Sequence, residues 1–296
     1  MSSYDLHVHT HWSYDARADI AEVFAAAGRV GLRTLAITEH HVIDSVPEAI
    51  ALAAQYPDLR YLPSAELTVH TSIGAVDLVC LGFPPDAAEG LQGLWKQYHD
   101  WMQEYGEAVS AGMQALGFDY SPRRREELLR TYRPDKAMAV QGVTHLNNAV
   151  QRGHFLDRGF IQTEKEYGDL MARVAEVGHL PRYPAVAEVV PTVQAAGVLV
   201  SIAHPRGYFL EADRDRMDAL RDECLLDGIE CAHPAVPIEL RGVYREYCEA
   251  HGLLSTGGSD CHFIEGIDAQ LGSHGGPEQW WEEIEARLAP GVMVNG

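Results

Sequence analysis

Tyr4-Asp5-Leu6-His7-Val8-His9-Thr10 opens the chain with strict alternation of apolar and polar residues. Side chains of a strand alternate between faces, so residues two apart point the same way. Leu6 and Val8 then face a core, while the imidazoles of His7 and His9 stand side by side at the strand's end. Neutral imidazole is the commonest protein ligand for zinc-, iron- and manganese-type ions. Two imidazoles one strand-pitch apart are enough to hold one ion. A lone His-x-His is more often a solvated strand end, so its meaning depends on what the other strands carry at the same edge.

Strands and helices alternate from there. Residues 4–9 form the first strand. Residues 19–31 are Ala-rich with apolar 3–4 spacing, and Gly31 is the expected stop. Arg33–Thr38 is a second strand. A helix follows over Pro47–Tyr56, with Ser45 as its N-cap and Pro47 in its first turn. Tyr61–Thr68 and Ala75–Phe83 read as strands three and four. After a long middle region, a helix over Val189–Ala196 ends at Gly197. Val198–Ala203 is a near-continuous apolar strand, as in a parallel sheet covered on both faces. Asp227–Ala232 and Leu253–Ser259 complete seven strands. That rhythm predicts an α/β barrel or a doubly wound sheet.

The middle is different. Residues 87–181 are charged and mostly helical, with Trp95, Tyr98, Trp101, Met102 and Tyr105 at helical spacing. The stripe reads as helix core. Ser121-Pro122 caps a segment whose Arg123-Arg124-Arg125 reads as a solvated first turn. The expected organisation is a discontinuous barrel of residues 1–86 and 182–296, with 87–181 inserted as a helical lid.

The composition narrows the partners. A net charge of −20 and a pI near 5.0 repel nucleic-acid backbones and anionic membranes at long range. An anionic substrate then needs local positive charge, which metal ions supply. Five cysteines, none in a C-x-x-C pair, argue against a disulfide framework or a thiolate zinc ribbon. No apolar run is long enough for a membrane span. A cytoplasmic protein is expected.

The polar residues at the predicted strand ends carry the chemistry. His7 and His9 end strand one, Thr38-Glu39-His40 strand two and Glu66 strand three. Asp77 lies on strand four, His204 ends strand five, and Asp260 and His262 end strand seven. Parallel barrels place their active sites at this face, and core packing has no use for such residues there.

On these residues the chain resembles the PHP (polymerase and histidinol phosphatase) family of metal-dependent phosphoesterases. The resemblance rests on Asp5-Leu6-His7-Val8-His9-Thr10, Leu35–His40, Glu66, Ala203-His204-Pro205 and Gly258-Ser259-Asp260-Cys261-His262. It covers residues 4–83 and 185–265. The insertion is similar to that of the branch with nucleotide 3′-phosphatases and short-RNA 5′-nucleases. The resemblance implies a distorted seven-stranded (β/α) barrel and two or three divalent ions (Mn, Zn or Fe). It implies one ion held by His7, His9, Glu66 and Asp260. A second shares Glu66 and takes His204, and a third takes Asp15, His40 and His262. A mixed N/O donor set suits these metals rather than calcium.

Two positions depart from the family pattern. The second motif usually reads Thr-Asp-His and here is Thr38-Glu39-His40. The family's strand-four histidine is replaced by Asp77, leaving Asp77, or His145 from the insertion, as the alternative ligand.

The expected activity is hydrolysis of a small phosphate ester, a phosphorylated metabolite or nucleotide, by a hydroxide bridging the ions. Arg206 is a candidate clamp for phosphoryl oxygens, and His233 a candidate proton donor to the leaving group. Lys136, Arg152, Arg158 and Arg182 are candidates for a basic rim. His11, His41, His70 and His274 have no assignment. Two other readings stay open: an amidohydrolase on a similar metal barrel, and a non-catalytic, metal-stabilised regulatory module.

Overall fold

The computed structural model describes residues 1–295. Seven strands form one sheet in chain order: β1 (Tyr4–Asp5), β2 (Thr34–His40), β3 (Arg60–Thr71), β4 (Gly74–Leu81), β5 (Leu199–Ile202), β6 (Gly228–Ala232) and β7 (Leu254–Gly257). Neighbours run parallel except at β4, which is antiparallel to both β3 and β5. β3 and β4 are a hairpin whose turn, Ser72-Ile73, is followed by Gly74 at φ 111°, a conformation that strongly favours glycine. The sheet is therefore mixed, as a distorted seven-stranded barrel allows. Because β4 runs backwards, its early residues lie at the edge where its neighbours end, and Asp77 stands opposite Thr68.

The regular strand predicted over residues 4–9 is divided between two partners. Tyr4 and Asp5 pair with Thr34 and Leu35. Beyond them, Asp260 N donates to His7 O (2.8 Å), His9 N donates to Cys261 O (2.9 Å), and Val8 bridges Cys261. These bonds nearly close the sheet into a barrel. The backbones meet so tightly that a Cβ on Gly258 would lie 2.3 Å from the His7 Cβ. The Asp5 carboxylate is fully buried here and accepts from Ser259 N (2.9 Å) and Gly272 N (2.8 Å).

Helices α1 (Ile20–Val30) and α2 (Val46–Ala53) cover the first parallel strands. Asp19 caps α1 by accepting from Ala21 N, and Gly31 ends it at φ 75°. Ser45 makes no side-chain cap, although Pro47 sits in the first turn of α2 as expected. The core unites Leu6, Val8, Leu35, Ile37, Leu67, Leu78, Val200, Ile202 and Ile229, all at most 1% exposed. Burying each such aliphatic side chain contributes about 1.5–3 kcal/mol.

The middle of the chain folds as α3 (Ala87–Gly90), α4 (Gln92–Ala115), α5 (Pro122–Leu129), α6 (Asp135–Gln141), α7 (Asn148–Asp157) and α8 (Glu166–Gly178). The N-terminal part of α4 belongs to the barrel core through Leu94, Trp95 and Tyr98. From Val109 onward the helices share a second core with Met113, Tyr120, Leu129, Phe155 and Val174. Trp101 and Met102 join neither core and pack instead with Val42. The arginine triplet also departs from expectation. Ser121 does cap α5, but Arg125 is buried and donates to Ser110 Oγ (3.1 Å). The remaining helices are α9 (Val186–Ala195), α10 (Arg214–Glu223), α11 (Ile238–His251), α12 (Ile267–Gln270) and α13 (Glu278–Glu285).

Candidate metal centre

The strand edge converges on Glu66, which is 1% exposed at the end of the β2–β3 ladder. Its Oε2 lies 3.1 Å from His7 Nε2, 3.3 Å from His9 Nε2 and 3.3 Å from His40 Nδ1. Its Oε1 lies 3.0 Å from His204 Nε2. Asp260 Oδ1 stands 3.4 Å from His7 Nε2 and 3.3 Å from His9 Nε2, and its Oδ2 stands 3.2 Å from His233 Nε2. Asp15 Oδ2 reaches His40 Nε2 (3.3 Å) and His262 Nε2 (3.6 Å). Four overlapping donor groups result: His9/His40/His262, His7/His9/Glu66, His7/His233/Asp260 and Glu66/Asp77/His204.

The outward hydrogen bonds fix the tautomers. His7 Nδ1 donates to Glu230 Oε1 (2.9 Å), and His262 Nδ1 donates to Asp260 O (2.8 Å). Ser13 donates its hydroxyl proton to Glu39 (2.5 Å), so its oxygen accepts from His9 Nδ1 (3.2 Å) and His40 N (2.9 Å). Three imidazoles therefore turn their Nε2 atoms inward, as metal ligands do when their other nitrogen is held. His40 Nδ1 and Asp15 Oδ1 are buried with no hydrogen-bond partner. Orphaned polar atoms of that kind are costly, and ligation to a cation removes the cost for each. The residues present thus fit a group of first-row divalent ions.

The electrostatics agree. Burial opposes charge on every group, yet neighbours of opposite sign win at most of them. His7 is raised despite burial because Glu230, Glu66 and Asp260 surround it. His40 rises to about 10 through Asp15 and Glu66, and His204 to about 9 through Glu66. Glu66 and Asp260 are held well below the carboxylate range, each with His7 as its leading charge partner. His9 is lowered by burial and by His262 and His40. The basin draws positive charge inward, and without metal it is protons that supply it. Backbone strain marks the same place: His204 (φ 29°) and Asp260 (φ 52°) occupy the left-handed region, a conformation kept at functional sites by surrounding structure.

The residues anticipated from sequence divide as follows. His7, His9, Asp15, His40, Glu66, His204, Asp260 and His262 share the basin. Asp77 reaches its edge: Oδ2 is 3.8 Å from His204 Nε2 and accepts from Tyr208 OH (2.6 Å), while Oδ1 accepts from Thr68 Oγ1 (2.5 Å). His145 stands apart from all four donor groups. Its ring packs on Tyr14 (4.1 Å) and against Trp101 (5.4 Å), and burial lowers it to about 3. His233 lies beside Asp260, but its Nδ1 accepts from Ala235 N (2.9 Å). Its proton therefore sits on Nε2, facing the basin. Arg206 is half exposed and gives its guanidinium to Glu211 (2.8 Å).

Sequence reading missed several supporting residues. Glu230 holds both His7 and the backbone N–H of His204 (2.6 Å). Its only signal is a carboxylate in the apolar strand Gly228-Ile229-Glu230-Cys231-Ala232. Glu39, at the departing motif position, is buried and raised to about 7 by that burial. It accepts from Thr10 and Ser13 and so orders the loop after β1. Trp101, predicted as helix core, forms an aromatic wall with His41, Tyr105, His145 and Tyr183.

Comparison with known proteins follows from this geometry. The PHP domain profile matches residues 5–180, more than half of the chain, and the match runs through the helical region as well as the first strands. The protein belongs to the PHP domain family. Its donor set is that of a metal-dependent hydrolase of this type. No curated protein matches the sequence. Two solved structures are similar in fold. One is a candidate metal-dependent phosphoesterase from Bifidobacterium adolescentis (22% identity, 98% of this chain and 97% of that one, TM-score 0.72). The other is an amidohydrolase from Chromobacterium violaceum with bound sulfate and no metal (22% identity, 97% and 98%, TM-score 0.74).

Proposed function

We propose that the protein hydrolyses a small phosphate ester at a centre of two or three divalent ions, manganese, zinc or iron. The observation that carries this reading is the sharing of Glu66 among His7, His9, His40 and His204, which links adjacent cation positions in one basin. His7, His9, Glu66 and Asp260 would hold one ion. Glu66, His204 and Asp77 would hold a second, and Asp15, His40 and His262 a third. Bound there, the ions would supply Lewis-acid charge for phosphoryl oxygens and lower the pKa of water toward neutrality.

The chain's own groups complete the site. Glu230 and Ser13 orient His7 and His9, so the ligand field is set before substrate arrives. His233 presents its Nε2–H at the basin's edge, where it can donate a hydrogen bond to the departing oxygen, whose proton then comes from water. Arg206, paired with Glu211, is not placed in this mechanism. Tyr14 packs against His40 and His145, and Trp101 backs His145, so aromatic rings cover one flank of His40. A surface of net charge −20 favours a small substrate over long nucleic acid. Five buried free cysteines, with no described helix long and apolar enough to cross a membrane, suit a cytoplasmic location.

The relative from Chromobacterium violaceum raises amide hydrolysis as the second reading, although the sulfate bound in it has the shape and charge of a phosphoryl group. Protein loaded with manganese or zinc and offered phosphate monoesters, phosphate diesters and amides should cleave a phosphoester. Turnover confined to amides would overturn the proposal.

A further inference from the structure

The loop after β1 and the α5–α6 connection border an open cleft of about 350 Å³, lined in part by His11, Arg17, Asp19, Arg130, Arg133 and Lys136. In a chain of net charge −20, four basic side chains here face one lining carboxylate. Arg130 is neutralised by Glu126 (2.9 Å) and Asp135 (3.0 Å), and Lys136 by Glu48 (2.7 Å). Arg17 and Arg133 are not: among the described residues neither has a carboxylate within 4 Å. Arg17 lies over the Tyr132 ring at 5.5 Å. Arg133 is only 4% exposed and donates to neutral groups alone, Thr144 Oγ1 (3.4 Å), Trp12 O (3.2 Å) and Gln141 Oε1. Its Nε and the Nε2 of His11 are buried with no partner. A buried, unpaired guanidinium is costly unless an anion reaches it.

The cleft and the metal centre share a loop. His11 follows His9 by two residues, and Arg17 follows Asp15 by two. Arg17 N donates to His262 O (2.9 Å), and Asn147 Nδ2 donates to Asp15 O (3.1 Å). Whatever fills the cleft lies against the loop that carries Asp15.

We infer that this cleft binds a phosphate-type oxyanion between Arg17 and Arg133, with His11 and Lys136 beside them. Guanidinium groups match the oxygens of such anions in paired, charge-assisted hydrogen bonds. Two sources share this chemistry: a second phosphate on the substrate, and free inorganic phosphate. The first source rests on the phosphoesterase reading, whereas binding itself does not.

Calorimetry of the metal-loaded protein with inorganic phosphate tests the binding. Arg17→Glu should weaken one phosphate-binding event about tenfold or more, and Arg17→Lys should retain it. Lys136→Glu, at a half-exposed side chain, repeats the measurement should Arg17→Glu fail to fold. Equal phosphate affinity and stoichiometry in the folded wild type and charge-reversal variant would overturn the inference. The source follows from kcat/KM for butane-1,4-diol bisphosphate against butyl phosphate. A ratio of about ten that collapses in Arg17→Glu assigns the site to the substrate. A ratio near one in the wild type, with the phosphate event still lost in the variant, assigns it to free phosphate. Should no phosphoester be cleaved, the proposed function fails while the calorimetry still decides the cleft.

Discussion

Glu230 accepts the Nδ1 proton of His7 at 2.9 Å, and its second oxygen accepts the backbone N–H of His204 at 2.6 Å. One carboxylate thus orients two of the proposed ligands, one after β1 and one after β5. Outer-shell partners of this kind are worth about 10–100-fold in metal affinity. Glu230→Gln keeps the shape but presents an N–H₂ to one of two donors. Its metal dissociation constants, measured by chelator competition, should rise by about that factor while the fold, followed by circular dichroism, is retained.

Asp77 tests the departing strand. If it completes the position shared by Glu66 and His204, Asp77→Ala should remove about one ion per chain by elemental analysis and leave the others. Tyr208→Phe removes only the phenol donor to Asp77 and should keep full metal content. Undiminished metal in Asp77→Ala would confine the residue to a structural role with Thr68 and Tyr208.

Metal uptake should expel protons. His40 and His204 are raised to about 10 and 9, so in the metal-free protein both are charged at neutral pH, and ligation requires their lone pairs. Affinity should therefore rise between pH 6 and 9, with proton release visible as a dependence of binding heat on the buffer. The stability linkage runs the other way. A histidine raised above its unfolded value near 6.5 contributes fully below that value, and the contribution is lost as pH climbs through 9 to 10. The melting temperature of metal-free protein should fall over this window more steeply than that of loaded protein.

Gly258→Ala places a methyl group 2.3 Å from the His7 Cβ. The backbones there are locked by the Asp260 N to His7 O bond, so neither can yield freely. Overpacking of this kind costs about 3 kcal/mol, and the melting temperature of metal-free protein should drop accordingly. Because His7 itself is displaced, metal content should fall as well.

Much of the basin was legible because its residues break a rule of strands. His7, His9, His204, Asp260 and His262 follow apolar runs with groups that cores do not need, Glu66 interrupts the apolar strand β3 rather than ending it, and that contrast survives in one dimension. Glu230 was not legible, because a single carboxylate inside Gly228–Ala232 carries no spacing signal. The reversal of β4 was hidden in the two-residue turn before Gly74, although that glycine is the kind of mark a hairpin leaves. Arg206 follows His204 by two residues, but its exposed side chain pairs with Glu211. Trp101 is buried as its helical spacing predicts, in a small cluster with Val42 and Met102, but spacing does not say that the same ring also backs the site.

The seam between β1 and the segment after β7 brings together residues as far apart as Asp5 and Ser259, 254 positions along the chain. On a ribosome, His7, His9, His40 and Glu66 emerge early, but Asp260 and His262 emerge only near the end of synthesis. Until then the early residues are an incomplete donor set. For the proposed centre, a complete donor set would exist only after the arrival of Gly258-Ser259-Asp260, and correct metal uptake would be a late event in the life of the chain.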